Sequence, residues 1–298
     1  MTLATLHAPT ASDITQAANR LAGLAVRTPL IYHARLSQLT GARIFLKRED
    51  LQLGGSYKIR GAYNLMASLN AVERAAGAVT ASSGNHARAV AEVAARLKLP
   101  ATVFVPEGTA TAQLAAIRRA GGSFVAVRTA GQSLGEALAV AQAEAADTGA
   151  TLVHPYNDPR IVAGQGSLAV EIIAQLAEIG QRADGVVAPI GGGGLITGLG
   201  LFLAANREQT AQLIGVQPAQ ATGMLQALAA PSRHPLAAHV LSQSVQVDEN
   251  QVRDTMAELE SSLGIAASPA GALAAAAIPQ LAAQRQGQTI VAIITGAR

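Results

Sequence analysis

The stretch Gly54-Gly55-Ser56-Tyr57-Lys58-Ile59-Arg60-Gly61-Ala62-Tyr63-Asn64 decides how the chain is read. Its paired glycines make a turn in which backbone of either hand is cheap. Ser56 is the natural N-cap, and Ile59, Ala62, Leu65, Met66 and Leu69 then recur at helical spacing. Lys58 therefore falls in the first helical turn, where the free N–H groups and the helix dipole disfavour another positive charge. A lysine placed against the local field suits a neutral amine that condenses with an aldehyde cofactor. The plainer alternative is a solvated lysine at an exposed helix start.

Composition narrows the classes. The 298 residues suffice for one large domain or two ordinary ones. With 50% hydrophobic and 14% charged residues, the chain can bury a substantial core. Aromatics are 3% with no tryptophan, and the net charge of +3 is scattered, so no nucleic-acid surface is expected. There is no cysteine, which excludes disulfides and thiolate chemistry. The sequence shows no basic-then-apolar leader and no long apolar span. A soluble cytoplasmic protein without membrane or nucleic-acid partners is expected.

Strand and helix signals alternate along the chain. Ser12 or Asp13 can cap a first helix with apolar Ile14, Ala17, Leu21 and Leu24, and Thr28-Pro29 ends it. Ser37 to Gly41 leads into a strand at Ile44–Leu46, and the Lys58 helix follows. Strands are expected at 79–81, 102–105, 123–127 and 152–153, with helices at 90–97, 114–120 and 133–148. Beyond them lie a helix over 164–179 and the apolar strand 185–190, suited to a sheet covered on both faces. A helix over 195–205 and strands at 213–216 and 245–247 come next. Asp248 caps a helix to Leu263 with Gln251 in the capping-box position, Ser268-Pro269 opens another, and 290–295 is the last strand. Repeated βα units imply an α/β fold with parallel sheets.

Two further stretches carry chemistry. Gly191-Gly192-Gly193-Gly194 joins a buried strand to a helix, so successive N–H groups at a helix start can cradle a lone phosphate. The spacing fits neither a nucleotide P-loop nor a dinucleotide fingerprint, and the alternative is a tight turn. Ser82-Ser83-Gly84-Asn85-His86 also lies between strand and helix; it suits a small anion such as a carboxylate, or an ordinary helix cap. Thr295-Gly296 ends the last strand, at the edge where α/β proteins bind ligands. The histidines show no metal-ligand spacing, and no metal is expected.

Taken together, these blocks resemble the pyridoxal-phosphate enzymes of fold type II (tryptophan-synthase β-like), in the threonine dehydratase and serine racemase branch. The resemblance rests on Thr28-Pro29-Leu30, Lys47-Arg48-Glu49-Asp50, and Ser56 to Tyr63, where Tyr57 replaces the usual phenylalanine. It continues through Ser83-Gly84-Asn85-His86, Ala163-Gly164-Gln165-Gly166, Gly191 to Leu195 and Pro269-Ala270-Gly271-Ala272. It implies a two-domain, three-layer αβα fold with twisted, mostly parallel sheets. The large cofactor domain would comprise 1–71 and 150–298, the small domain 72–149.

The resemblance also implies roles. Lys58 would hold pyridoxal 5′-phosphate covalently and move protons; Tyr57, Asn85, Gly191, Gly192, Gly193, Gly194 and Thr295 would contact the cofactor. Ser82, Ser83, Asn85 and His86 would bind the substrate carboxylate, with Ser83 a second acid/base in racemising relatives. The implied reaction is ammonia-lyase conversion of a 3-hydroxy amino acid such as threonine or serine to a 2-oxo acid and ammonia, by a homodimer. Serine racemisation, dehydration of 3-hydroxyaspartate or a bulkier analogue, and a degenerate cofactor-binding protein are the alternatives. The chain departs from the pattern in four places. Gln217 and Gly223 replace the acids of metal-dependent relatives, the 217–245 segment is short, Ser268 replaces a glutamate, and Arg298 replaces an asparagine.

Overall fold

The computed structural model describes residues 8–206, 211–220, 236–281 and 284–298. In chain order the elements begin with α1 (Ala11–Leu21), β1 (Leu30–Tyr32), α2 (Ala34–Thr40), β2 (Arg43–Arg48), α3 (Lys58–Ala67) and α4 (Ala71–Ala76). A run of βα units follows: β3 (Ala78–Ala81), α5 (Asn85–Leu97), β4 (Ala101–Val105), α6 (Thr111–Gly121), β5 (Val125–Thr129), α7 (Leu134–Thr148) and β6 (Thr151–Leu152). The chain continues through α8 (Pro159–Glu178), β7 (Gly185–Pro189), α9 (Gly194–Ala205), β8 (Gln212–Pro218) and β9 (Gln243–Val247). It closes with α10 (Glu249–Leu263), α11 (Pro269–Ala276), α12 (Ile278–Leu281) and β10 (Thr289–Ile294).

The strands form two sheets. One is six-stranded in the order β1-β2-β10-β7-β8-β9, the other four-stranded in the order β5-β4-β3-β6. Every pairing among these strands is parallel except β1 with β2. β10 is buried along its whole length, as its unbroken apolar run requires of a central strand under helices on both faces. One apolar cluster lies on each side of the larger sheet. Ile44, Leu46, Val187 and Ile290 share one with α11, and Val186, Ala188 and Val291 share the other with α8 and α9.

Helix α8 crosses both α3 and α9 at very close range. A Cβ on Gly164 would sit 2.6 Å from both the Arg60 carbonyl oxygen and the Gly61 Cα, and one on Gly198 would sit 2.4 Å from the Val162 carbonyl. The Ala163-Gly164-Gln165-Gly166 block is thus a contact surface that only glycine backbone can form. It fixes the height at which α3, and with it Lys58, meets the sheet.

Several sequence expectations are corrected. Thr10, not Ser12 or Asp13, caps α1, because Asp13 is the return partner of a capping box three residues in. Ser56 does not cap α3: it is extended (φ −166°, ψ 159°) and bridges to Gly296, and Tyr57 is the N-cap without a side-chain bond. The segment 37–41 is most of α2, ended by Gly41 at φ 67°. Strand β1 and helix α4, the latter capped by Asn70 and Glu73, have no counterpart in the sequence reading. Helices α5 and α8 start at Asn85 and Pro159, ahead of the expected Val90 and Gly164, and β5 starts at Val125 after a turn of 3-10 helix. Gly223 lies outside the described residues. Among the described residues, no helix is long and apolar enough to cross a membrane.

Candidate active site

The parallel register brings three strand ends to one edge. Ile294 pairs with Arg48, and Ala292 pairs with Val187, so the segments after β2, β10 and β7 emerge side by side. Those segments carry Lys58, Thr295 and Gly191–Gly194, in keeping with ligand sites at the carboxyl ends of parallel strands.

Backbone bonds tie the first two together. Tyr57 N donates to the Thr295 carbonyl at 3.3 Å and Ala297 N to the Gly55 carbonyl at 2.9 Å, around the Ser56–Gly296 bridge. Lys58 is the first residue of α3, half-buried. Its Nζ donates to the Pro155 carbonyl at 3.1 Å and stands 5.1 Å from the centre of the Tyr57 ring. The Thr295 hydroxyl donates to the Ala270 carbonyl at 3.1 Å, which leaves its lone pairs to accept. The Ser56 hydroxyl is buried without a partner among the described residues.

The glycine run is a loop into α9, with Gly193 as its cap at φ 98°. The N–H groups of Gly191, Gly192 and Gly193 find no acceptor among the described residues. The Tyr156 ring is packed against this loop: a Cβ on Gly192 would fall 2.2 Å from Tyr156 Cδ1, whereas one on Gly191 would meet nothing within 4 Å. Glycine at 192 is therefore needed to admit Tyr156, and Gly191 leaves an open approach to the N–H groups.

Facing these residues is the edge of the smaller sheet. Ser82 follows β3, and its hydroxyl accepts from Gly84 N at 3.2 Å; Asn85 opens α5 with its Nδ2 against Gly296. His86 is buried, and its Nε2 lies 2.9 Å from the Val153 carbonyl, so this nitrogen carries the proton and Nδ1, unpartnered among the described residues, is left to accept. Burial first, then the nearby Lys58 charge, push its pKa down to about 3. The imidazole is therefore neutral and brings no positive charge to an anion; what His86 offers is a backbone N–H in the first turn.

The loop His154-Pro155-Tyr156-Asn157 joins the two edges, and the sequence reading passed over it. His154 Nδ1 accepts from Tyr156 N at 3.2 Å and Asn157 N at 3.1 Å, and its ring meets Tyr156 edge-on at 4.6 Å. Pro155 receives Lys58, Tyr156 covers Gly192, and Asn157 buries an Oδ1 with no partner among the described residues. Its signal was available as a polar turn between a strand and the Asp158-Pro159 helix start.

Under the site, a buried ion cluster anchors α3. Arg60 grips Glu49 through two bonds of 2.8 Å and reaches Glu171 at 2.8 Å; Lys47 meets Glu171 at 2.5 Å, and the Thr28 hydroxyl donates to Glu49 at 2.6 Å. Burial alone would raise the Glu49 pKa, but the Arg60 guanidinium and the further donors hold it below the ordinary carboxylate value. Lys47 is shifted down, chiefly by its burial.

Residues 21–296 match the family described as "Pyridoxal-phosphate dependent enzyme". The biosynthetic L-threonine dehydratase of Mycobacterium leprae is 40% identical over 310 residues, spanning 96% of this chain and 71% of that protein. That of Corynebacterium glutamicum is 38% identical with the same coverage. Among solved structures, a threonine deaminase from T.th. superposes with a TM-score of 0.88 at 30% identity, covering 97% of this chain and 98% of that one. Maize serine racemase does so with 0.86 at 28% identity, covering 98% and 94%. A lysine at a helix start, a glycine loop with unclaimed N–H groups and this degree of likeness lead to one conclusion: the chain belongs to the pyridoxal-phosphate dependent enzymes of fold type II, in the threonine dehydratase and serine racemase branch.

Proposed function

We propose that the protein is an ammonia-lyase that converts a 3-hydroxy amino acid of the threonine and serine class to a 2-oxo acid and ammonia. The observation that carries this reading is the pinning of Lys58. The Gly55–Tyr57 backbone that leads into Lys58 is zipped to Thr295–Ala297, and the Lys58 amine rests on Pro155, next to the Tyr156 that covers the glycine loop.

Pyridoxal phosphate has three recognition handles, and the residues present fit each. Lys58 offers an amine for the aldehyde, the N–H groups of Gly191 to Gly194 an anion cradle for the phosphate, and Thr295 a hydroxyl for the ring nitrogen. Tyr57 and Asn85 complete the set. Bound there, the cofactor supplies the electron sink that loosens the Cα–H bond of the substrate and then the Cβ–O bond. The protein's share is placement and proton transfer. Lys58 Nζ is the base that takes the Cα proton, and the Ser82, Ser83, Asn85 and His86 segment orients the substrate carboxylate on the first N–H groups of α5. Ser83 would be the second acid/base, as the resemblance to racemising relatives implies. Thr295, a neutral hydroxyl rather than an acid, would hold the ring nitrogen without placing a carboxylate beside it. The domains are read as 1–71 with 150–298 and 72–149, with β6 pairing back onto the smaller sheet. A cytoplasmic homodimer is the assembly expected.

The test is borohydride reduction of the holoenzyme followed by peptide mass mapping, together with 2-oxo acid release from L-threonine. A pyridoxyl adduct on Lys58, lost in Lys58→Ala along with turnover, is the expected result. An adduct on Lys47 or Lys98 would overturn the assignment.

A further inference from the structure

A cavity of about 270 Å³ lies between the end of α1 and one face of α8, with Arg60 of α3 in its lining. Two residues along a helix are about 200° apart around its axis, so Arg60 leaves α3 on the side away from Lys58. Buried Arg60 and Ser167 form the floor of the cavity. Gly23, at φ 82°, turns the chain back after α1, so that Ala25 and Arg27 close the rim.

Arg60 has a donor to spare. Its Nε and Nη2 are taken by Glu49 and Glu171 at 2.8 Å. Its Nη1 has one acceptor among the described residues, the Ser167 hydroxyl, at the limiting distance of 3.5 Å. Nη1 carries two N–H groups, so at least one is unclaimed. Arg60 is 2% exposed, and a buried guanidinium N–H without an acceptor is costly unless a ligand supplies one.

The remaining lining defines that ligand. Glu171, the one acid there among the described residues, has one oxygen on Lys47 and the other on Arg60, so a cationic head would find no free acceptor. Arg27 brings a second cation to the rim. Its ion pair with Glu178 is half-exposed on both sides, and such surface pairs are weak enough to yield to a ligand. Leu21 and Ala18 of α1 face Val170 and Ala174, one turn apart on α8, and make the walls apolar. An apolar cavity of about 150 Å³ holds benzene, so this one has room for a head group and a chain of a few carbons.

We propose that this cavity binds a short aliphatic monocarboxylate, its carboxylate between Arg60 Nη1 and Arg27 and its chain against Leu21, Val170 and Ala174. The apolar walls give a bare inorganic anion nothing, and a neutral hydrocarbon leaves the Arg60 donor unpaired. The site is separate from the Ser82–His86 segment, and the inference does not rest on the lyase reading above.

The experiment follows binding of butyrate to the holoenzyme by calorimetry, beside butyramide, which keeps the shape and loses the charge. Ala174→Phe fills the cavity from an exposed position on α8 and should abolish butyrate binding. Arg27→Gln, also exposed, should weaken it by about threefold or more, and serves if Ala174→Phe fails to fold. Butyramide should bind at least about tenfold more weakly than butyrate, as expected for loss of charge-assisted hydrogen bonds. Asn85→Ala, which alters the segment facing Lys58, should leave butyrate binding unchanged. No saturable butyrate binding, equal binding of butyramide, or binding that Ala174→Phe and Arg27→Gln both leave intact would overturn the inference. Loss of binding in Asn85→Ala with Ala174→Phe unaffected would place the carboxylate beside Lys58 and overturn it too.

Discussion

At the scale of single residues, burial and close contact set what each group near Lys58 can do. His86 is buried neutral, its pKa about 3 against an ordinary 6.5. The unfolded chain therefore takes up a proton near pH 6.5 while the folded chain does not until near pH 3. Its contribution to stability is thus present above about pH 6.5 and is lost as the pH falls toward 3. The melting temperature should drop across that window, and His86→Gln should flatten the fall between pH 6.5 and 4; an unchanged slope would show that another group is responsible. Gly192 makes a steric prediction. In Gly192→Ala the new Cβ overlaps the Tyr156 ring, so the apo protein should lose about 1–3 kcal/mol and cofactor affinity about tenfold. Gly191→Ala, which meets nothing, should leave apo stability within about 0.5 kcal/mol. Adding Tyr156→Ala to Gly192→Ala should restore part of the loss, and strict additivity in denaturant titrations would refute the contact.

At the scale of elements, α3 is held by α8 and β2 through the Glu49–Arg60–Glu171–Lys47 cluster. Arg60→Ala leaves the Glu49 carboxylate fully buried and unpaired, and should cost about 3–5 kcal/mol in chemical denaturation. The double variant Arg60→Met with Glu49→Gln should recover most of this, because it removes both charges together. A loss under about 1 kcal/mol in Arg60→Ala would mean that water reaches the pair. Elements with an internal cap and a regular apolar period, such as α10 with Asp248 and Gln251, are legible in the sequence because short-range bonds specify them. Those set by a distant partner are not. Strand β1 exists because Leu30–Tyr32 pairs with Phe45–Lys47, and Ser56 is drawn out of its capping role by Gly296.

At the scale of the whole molecule, two sheets present their strand ends to a common site, and the His154–Asn157 loop fastens one to the other. The alternation of strands and helices, the lysine at a helix start and the glycine turn after a buried strand were all legible, because each depends on neighbours a few residues away. By itself, then, the sequence determined the α/β class, most of the strand succession, and the positions of the lysine, the serine block and the glycine run at strand-to-helix turns. The tertiary structure alone decided how those stretches are used. It turned the His86 ring onto Val153 and withdrew its charge, and laid Tyr156 over Gly192. The physical reason is common to both: burial and contact with residues far along the chain set the charge and reach of a side chain, and no local spacing encodes them.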